Sequence, residues 1–558
     1  MKDFLKLDQG EVGIECRFAT YVKPPEAGLP DLHLVKEQVH KADGTVVPVV
    51  KPVYNYERPY WIVKKGYRNF EQPKEWIEKE RVNEFHSTQG DLLFKAASSL
   101  GKPYFKKSIK DLAAENPYLF GIDIKSTAVI KNDYMVKYPD LKTEYSVGVF
   151  DTETDVIHGT EEITMATFSF GKICFTAVQK SFFKGVANPE QEVLEKTNKY
   201  LEQYITARGI KPVLVIVDSE IDVLIETFKV IHEAKPDFLS IWNMKFDIGK
   251  ILEACDRANF PVEHLMCDPS VPNEYRSFKF ILGPNQKKTA SGLVMPIKPA
   301  AQWHTVKCPA SFYVIDAMCA YKHTRMGEQE KKSYSLDFIL GEELNLGKLK
   351  FEEANHLSGL AWHKFMQEFY PVEYVVYNRF DCIGMELLED KVKDMRVVLP
   401  QFSGSSDFED FKSQPRRKMD VLHWFVQKHD RVMGCTSSAL VSELDPMILG
   451  RDEWIITLAP SLITREGLRV IEENPEQVTS IYGHVGDLDV SASYPNGETC
   501  FNISKETTVR ELSTIEGIPE AVFRKQNMGI SAGHVNAVDY CSTMMGFPTL
   551  FELEEMTW

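Results

Sequence analysis

The sequence predicts a multidomain protein of mixed α/β and α+β organisation, and three observations predict it. The chain has 558 residues, too many for one core, and at ~150 residues per domain it divides into three or four. From Glu144 onward, three strand-like runs follow one another and then alternate with helical periods, which is the pattern of a mixed sheet. Composition is that of an ordinary globular protein, 43% hydrophobic and 26% charged, with no internal repeat or low-complexity tract, so solenoids and disordered tails are set aside.

From residue 1 to about 143 the chain alternates short strands, such as Tyr60 to Lys64, with turns rich in Pro and Gly, and has one helical stretch around Gln89 to Leu100. This is expected to be a separate N-terminal domain of mixed type. Tyr145 to Phe150, Ile163 to Phe170 and Ile173 to Val178 then read as an antiparallel meander. A helix runs from Pro189 to about Ile205, Pro212 to Val217 reads as a buried strand, Glu220 to Glu233 as a helix, Phe238 to Trp242 as a strand and Phe246 to Ala258 as a helix. Three antiparallel strands followed by alternating helices and parallel strands give a mixed sheet covered on both faces, an order similar to the ribonuclease H-like fold of many nucleases. A longer insertion holding Phe312 to Ile315 and Ser333 to Leu340 precedes a strongly amphipathic helix from about Val372 to Met395. Leu399 to Gln414 reads as a linker, and the last segment, from about Ile481, opens with a strand at Gly486 to Val490.

The formal charge of −16 excludes a protein coated in basic surface, so any nucleic-acid contact has to use local patches or the focused charge of a metal ion. Candidate patches are Lys64, Lys65 and Arg68; Lys106, Lys107 and Lys110; Lys287 and Lys288; and Arg416, Arg417 and Lys418, although such a patch is more often just a solvated face. Ten scattered cysteines form no CxxC pair or Cys/His cluster and read as reduced, mostly buried fillers. No apolar run approaches the ~20 residues that span a bilayer, and MKDFLKLDQGEVG lacks a signal-peptide core, so a cytoplasmic protein without a membrane partner is expected.

Three segments carry the chemistry. In VGVFDTETD a strand delivers Asp151 and Glu153 at its carboxyl end, and residues two apart on a strand share a face. Like charges that close are costly without a cation between them, which points to Mg²⁺ or Mn²⁺, although solvated acids at a strand end give the same pattern. In LSIWNMKFDIGKI a strand runs into Asn243, then Phe246 and Asp247 at a helix start, where an acid also complements the helix dipole. In VEYVVYNRFDCIGMELL, Tyr377 and Asp381 stand one turn apart on one helical face, a spacing that packing alone also produces.

Taken in order, D-x-E, N-x-x-F-D and Y-x-x-x-D resemble the three exonuclease motifs of proofreading DNA polymerases. The resemblance implies a 3′-to-5′ exonuclease with two divalent metal ions that activate a water and stabilise the leaving 3′ oxygen. It implies that Asp151 bridges both ions, that Glu153 and Asp381 complete the shell of one, and that Asp247 supports the second through water. Tyr377 would orient the attacking water with Glu153, while Asn243 and Phe246 would position the unpaired 3′-terminal nucleotide of a single strand.

The segment GDLDVSASYPNGE makes the resemblance more specific. Asp489 to Asn496 reads D-V-S-A-S-Y-P-N, similar to the palm motif D-x-x-S-L-Y-P-S of family B DNA polymerases of tailed bacteriophages, with Ala492, Ser493 and Asn496 as departures. The resemblance implies that Asp489 holds Mg²⁺ for nucleotide addition, that Tyr494 lies beneath the sugar, and that the amides of Ala492 and Ser493 hold the triphosphate. Asp487 is a competing candidate that leaves Tyr494 two positions out of register. Downstream there is no K-x-x-x-N-S-x-Y-G helix and no D-T-D turn, so the chain is not expected to polymerise alone. This implies either a truncated product or a polymerase encoded as two chains, in which case a second chain with the fingers, the rest of the palm and the thumb is the expected partner, together with primer-template DNA, in the cytoplasm of an infected bacterial host. On this reading residues 1–143 and 397–480 form the N-terminal domain, 144–396 the ribonuclease H-like exonuclease domain and 481–558 a partial palm. The alternatives are a free-standing 3′-to-5′ exonuclease and a non-catalytic DNA-binding assembly subunit.

Overall fold

The computed structural model describes residues 3–26, 28–68, 76–101, 116–288, 293–327, 329–347, 349, 351–399 and 414–434. The chain divides into two compact units, Met1–Leu112 with Tyr118–Cys435, and Ala113–Pro117 with Thr436–Trp558. All the elements named below belong to the first.

The N-terminal part opens with three long antiparallel strands, β1 (Glu11–Val22), β2 (Leu32–Lys41) and β3 (Val46–Tyr54), in that spatial order. β2 is buried on both faces from Leu32 to Val39, which includes His33, Lys36 and Glu37, and each of these polar groups has a partner. His33 Nε2 lies 2.8 Å from the Ser126 hydroxyl, Tyr134 donates its phenol proton to Glu37, and Lys36 lies 3.1 Å from the Asp237 carboxylate. Buried polar groups persist in a core only when paired in this way.

β4 (Arg58–Val63), β5 (Trp76–Glu78), β6 (Val82–Ser87) and β7 (Leu119–Phe120) follow, with helices α1 (Leu92–Ser99) and α2 (Ser126–Lys137). β4 lies between β6 and β7. The core here joins Trp61, Ile77, Phe120, Ile130 and Tyr134.

The expected meander is present as β8 (Val147–Thr154), β9 (Ile163–Phe170) and β10 (Ile173–Gln179), with both neighbouring pairs antiparallel. Helix α3 (Pro189–Arg208) starts with proline in its first turn and stops at Gly209 in the left-handed conformation (φ 63°), where glycine has no steric penalty. β11 (Lys211–Val217) pairs parallel with β10; helix α4 (Glu220–Ala234) is capped by the Ser219 hydroxyl; β12 (Phe238–Ile241) and helix α5 (Met244–Arg257) come next.

A short helix α6 (Val262–Met266) leads to the small strand pairs β13 (Lys279–Ile281) with β16 (Thr305–Lys307) and β14 (Gln286–Lys288) with β15 (Val294–Pro296), and then to β17 (Tyr313–Asp316). The six-stranded sheet has the order β11-β10-β9-β8-β12-β17, with β12 parallel to β8 and to β17. It is a mixed sheet in a mixed α/β protein.

Three expectations are corrected. Phe312 to Ile315 is not part of an insertion: Tyr313–Asp316 is the sixth strand of the sheet. Pro212 to Val217 is not a fully buried strand, because β11 is the edge of the sheet and its residues are only half-buried. The helix expected to be amphipathic to Met395 is α10 (Pro371–Val392), preceded by α7 (Ala317–Thr324), α8 (Leu336–Leu344) and α9 (Gly359–Phe369). α10 is buried almost all round because it lies between the sheet and other helices, with residues in three separate core clusters.

After α10, a helix α11 (Gln414–Lys428) leads to β18 (Arg431–Met433), which pairs antiparallel with β5 and places Val432 in the N-terminal core. Residues 400–413 of the expected linker, and 435–558, lie outside the described residues. Among the described residues no helix is long and apolar enough to cross a membrane, and the seven described cysteines are unbridged and mostly buried.

Candidate metal centre

The alternation of β8 decides which way each acid points. Val147 and Val149 face Cys382, Met385 and Leu388 of α10, whereas Phe150 faces Phe228 of α4 with ring centroids 5.5 Å apart. Asp151 and Glu153 continue the first row and Thr152 the second. The two acids therefore point to the α10 side of the sheet, where Asp381 waits.

α10 is set in place by Arg379, which is buried and donates to the Thr176 hydroxyl at 3.0 Å, the Thr197 hydroxyl at 2.8 Å and the Val213 carbonyl at 2.9 Å. Gln367 ties α9 to the end of β8, donating to the Thr154 carbonyl at 2.8 Å and accepting from the Val156 amide at 3.2 Å.

Asp151, Glu153 and Asp381 each offer one ligand atom within 4.8 Å of the others, and all three are half-buried. Oxygens around one divalent ion at about 2.1 to 2.5 Å are at most about 4 to 5 Å apart, so the spread fits a single hard cation. All three donors are carboxylates, which suits Mg²⁺ or Mn²⁺ and not a soft metal. This half-buried acidic triad can hold a metal ion.

Neutral donors grip the two strand acids. The Asn378 amide donates to Asp151 Oδ2 at 2.7 Å, and the Tyr374 phenol donates to Glu153 Oε2 at 2.6 Å. The Tyr374 oxygen lies 2.7 Å from His363 Nδ1. Tyr377 is buried beside Tyr374, centroids 5.7 Å apart, and under the edge of Trp362 at 4.9 Å. Burial holds both phenols well above their ordinary pKa, reinforced by the Glu153 charge at Tyr374 and by the Asp381 and then Glu153 charges at Tyr377.

Tyr374, Asn378 and His363 were not singled out from the sequence. Tyr374, Asn378 and Asp381 fall at i, i+4 and i+7, so the face they share with Tyr377 was available as a polar stripe on an apolar helix. No spacing rule links His363, on a different helix, to them.

Asp247 stands outside the triad. It is buried in the first turn of α5 and accepts from the Thr152 amide at 3.2 Å and the Thr152 hydroxyl at 2.7 Å, so it reaches β8 through the residue that faces away from Asp151 and Glu153. Burial pushes its carboxyl up to about 7.

Asn243 is the residue before α5, its carbonyl accepting from the amides of Phe246 at 2.9 Å and Asp247 at 3.1 Å. The side chains of Asn243 and Phe246 are exposed, with the Lys250 ammonium 5.8 Å from the Phe246 ring centroid.

Of the basic patches, Lys64 donates to the Glu80 carbonyl at 2.6 Å and Arg68 stacks on Tyr118 at 4.9 Å, while Lys287 and Lys288 are exposed on β14. Lys106, Lys107, Lys110 and the side chains of Arg416, Arg417 and Lys418 lie outside the described residues, as do Asp487, Asp489, Ala492, Ser493 and Tyr494. No protein-family model matches the chain, and no curated protein matches its sequence.

Proposed function

We propose that the chain is a metal-dependent 3′-to-5′ exonuclease of ribonuclease H-like build, the proofreading part of a family B DNA polymerase of tailed bacteriophage type. The observation that carries the reading is the convergence of Asp151 and Glu153 with Asp381, a residue more than 200 positions away, within 4.8 Å. The sheet order supports it, three antiparallel strands extended by parallel ones with the acids at the carboxyl end of β8.

Asp151, Glu153 and Asp381 would hold one cation, with Asp247 the acid that serves a second through water. Bound divalent cations supply the lowered pKa of a coordinated water and the neutralisation of charge on the departing 3′ oxygen. The remaining steps belong to the chain. Tyr377, whose phenol stays protonated, orients the attacking water together with Glu153. Phe246 offers an exposed ring on which a terminal base can stack, and Asn243 an exposed amide to bond it. With a net charge of −16 the site has no broad basic surround, so unpaired 3′ ends bind through these local groups and the cations.

The test is Mg²⁺-dependent degradation of 5′-labelled single-stranded DNA by the purified chain. Asp151→Ala with Glu153→Ala is expected to lower the rate by at least about 100-fold; an unchanged rate overturns the assignment. The polymerase half of the proposal rests on the D-V-S-A-S-Y-P-N segment alone, in which Asp489 would hold Mg²⁺. It predicts primer extension once a chain carrying K-x-x-x-N-S-x-Y-G and D-T-D is supplied, and none after Asp489→Ala.

A further inference from the structure

The acids are not the only part of the centre that is built. Tyr374 is fully buried, its ring packed against Phe182 at 6.2 Å, Trp362 at 6.0 Å and Tyr377 at 5.7 Å, so its hydroxyl cannot turn to solvent. A phenol has one proton to give. The 2.6 Å contact to Glu153 Oε2 has the length of a charge-assisted O–H···O⁻ bond, so the proton goes there and the phenol oxygen accepts from His363. That acceptance at 2.7 Å puts the imidazole proton on Nδ1. Three side chains from β8, α10 and α9 thus form one directed chain.

We propose that Tyr374 and His363 are positioning residues that fix the Glu153 carboxylate for cation binding through a His363–Tyr374–Glu153 hydrogen-bond chain. The proposal rests on the metal-site half of the function proposed above. Glu153 has three rotatable side-chain bonds, and a carboxylate that must be ordered when the cation arrives pays that entropy out of its affinity. Holding Oε2 sets the rotation of the carboxylate plane beforehand. Asn378, also on α10, holds Oδ2 of Asp151 on the same strand as Glu153, so both acids are fixed by donors that carry no charge and do not compete electrostatically with a cation. Outer groups of this kind, when removed, commonly cost 10- to 100-fold in metal affinity.

The test measures Mn²⁺ binding by electron paramagnetic resonance on the full chain, beside the Tyr374→Phe and His363→Ala variants and their combination. Tyr374→Phe keeps the packed ring and loses only the hydroxyl, and is expected to weaken Mn²⁺ binding by about 10-fold or more. His363→Ala is expected to weaken it less, and the double variant no more than Tyr374→Phe alone, because His363 acts through the phenol. Mn²⁺ affinity of Tyr374→Phe within about twofold of the parent overturns the proposal, and so do fully additive losses. Should Tyr374→Phe fail to fold, His363→Ala carries the test on the same readout, with unchanged affinity the refuting result. Nuclease activity of the parent chain is read in parallel. A parent that binds Mn²⁺ but degrades no DNA sinks the exonuclease reading and leaves the positioning proposal to its own data; a parent that binds no Mn²⁺ sinks both.

Discussion

Replacing Asp381 by Asn should make the metal-free chain more stable and the metal-loaded chain less so. Three carboxylates with ligand atoms within 4.8 Å repel one another, and Asp381 takes part in two of the three pairs. At 4.8 Å each ionised pair costs about 3.5 kcal/mol at an effective dielectric of 20 and about 0.9 kcal/mol in bulk water. The acids are half-buried, so the lower end applies after screening, and neutralising Asp381 relieves about 2 kcal/mol. Asn keeps an oxygen for Tyr377, which interacts with Asp381. In EDTA at pH 8 the midpoint of thermal unfolding should rise by about 2 to 4 °C for a cooperative unit of a few hundred residues. In Mg²⁺ at 100 times the dissociation constant the parent gains about 2.7 kcal/mol and the variant, having lost a ligand, little of it. The two stability curves therefore cross as Mg²⁺ is added. A variant less stable than the parent in EDTA, or one that keeps the whole Mg²⁺-dependent rise, would refute the view of the triad as a strained cation site.

Three other perturbations follow from the buried charges. Glu389 accepts from the amides of Met395 and Arg396 at 2.8 Å each, yet burial raises its carboxyl from 4.5 to about 7. Because the folded value lies above the unfolded one, its stabilising contribution is whole below pH 4.5 and is lost as the pH climbs through about 7. Glu389→Gln keeps both bonds without the charge, so it should gain about 2 to 3 kcal/mol on the parent between pH 5 and pH 8 in urea titrations; a constant difference would contradict the assignment. Asp237, fully buried 3.1 Å from Lys36 and 3.4 Å from Arg17, leaves the buried Lys36 ammonium without its counter-charge when changed to Ala, while Arg17 keeps Glu15 at 2.8 Å; the cost of about 3 to 5 kcal/mol should be partly restored by adding Lys36→Met. Arg379→Lys should cost at least about 2 kcal/mol by equilibrium unfolding, since one ammonium cannot reach three acceptors spread around a guanidinium, and a neutral effect would show that α10 is held otherwise.

What could be read from the sequence was set by distance along the chain. Alternation and helical period sufficed for β8 to β10, α3 and α4, because each signal lies inside its own segment. Tyr313–Asp316 escaped because four residues carry no period, and their place beside β12 depends on a partner some 75 residues earlier. α10 read as one-sided because Glu386 and Glu389 look like a wet face, whereas Arg208 and two backbone amides receive them in the interior. In the candidate site, D-x-E and Y-x-x-x-D named the three acids that meet. The side of the sheet from which Asp247 approaches was not legible, since it depends on which face of β8 packs against α5. His363 was invisible for the same reason as Lys36: its partner belongs to another element.

The pairing of β18 with β5 has a bearing on how the protein is made. Glu78 faces Arg431 across that pair, and Val432 fills the same core as Ile77 and Trp61. At a translation rate of about 5 to 20 residues per second, Ile77 emerges roughly 20 to 70 s before the strand that covers it. For that interval β5 is an uncovered edge with apolar neighbours, the kind of surface that recruits chaperones or a wrong strand. Contacts of such long range also slow folding from denaturant. The core around Ile77 is thus synthesised long before the strand that completes it.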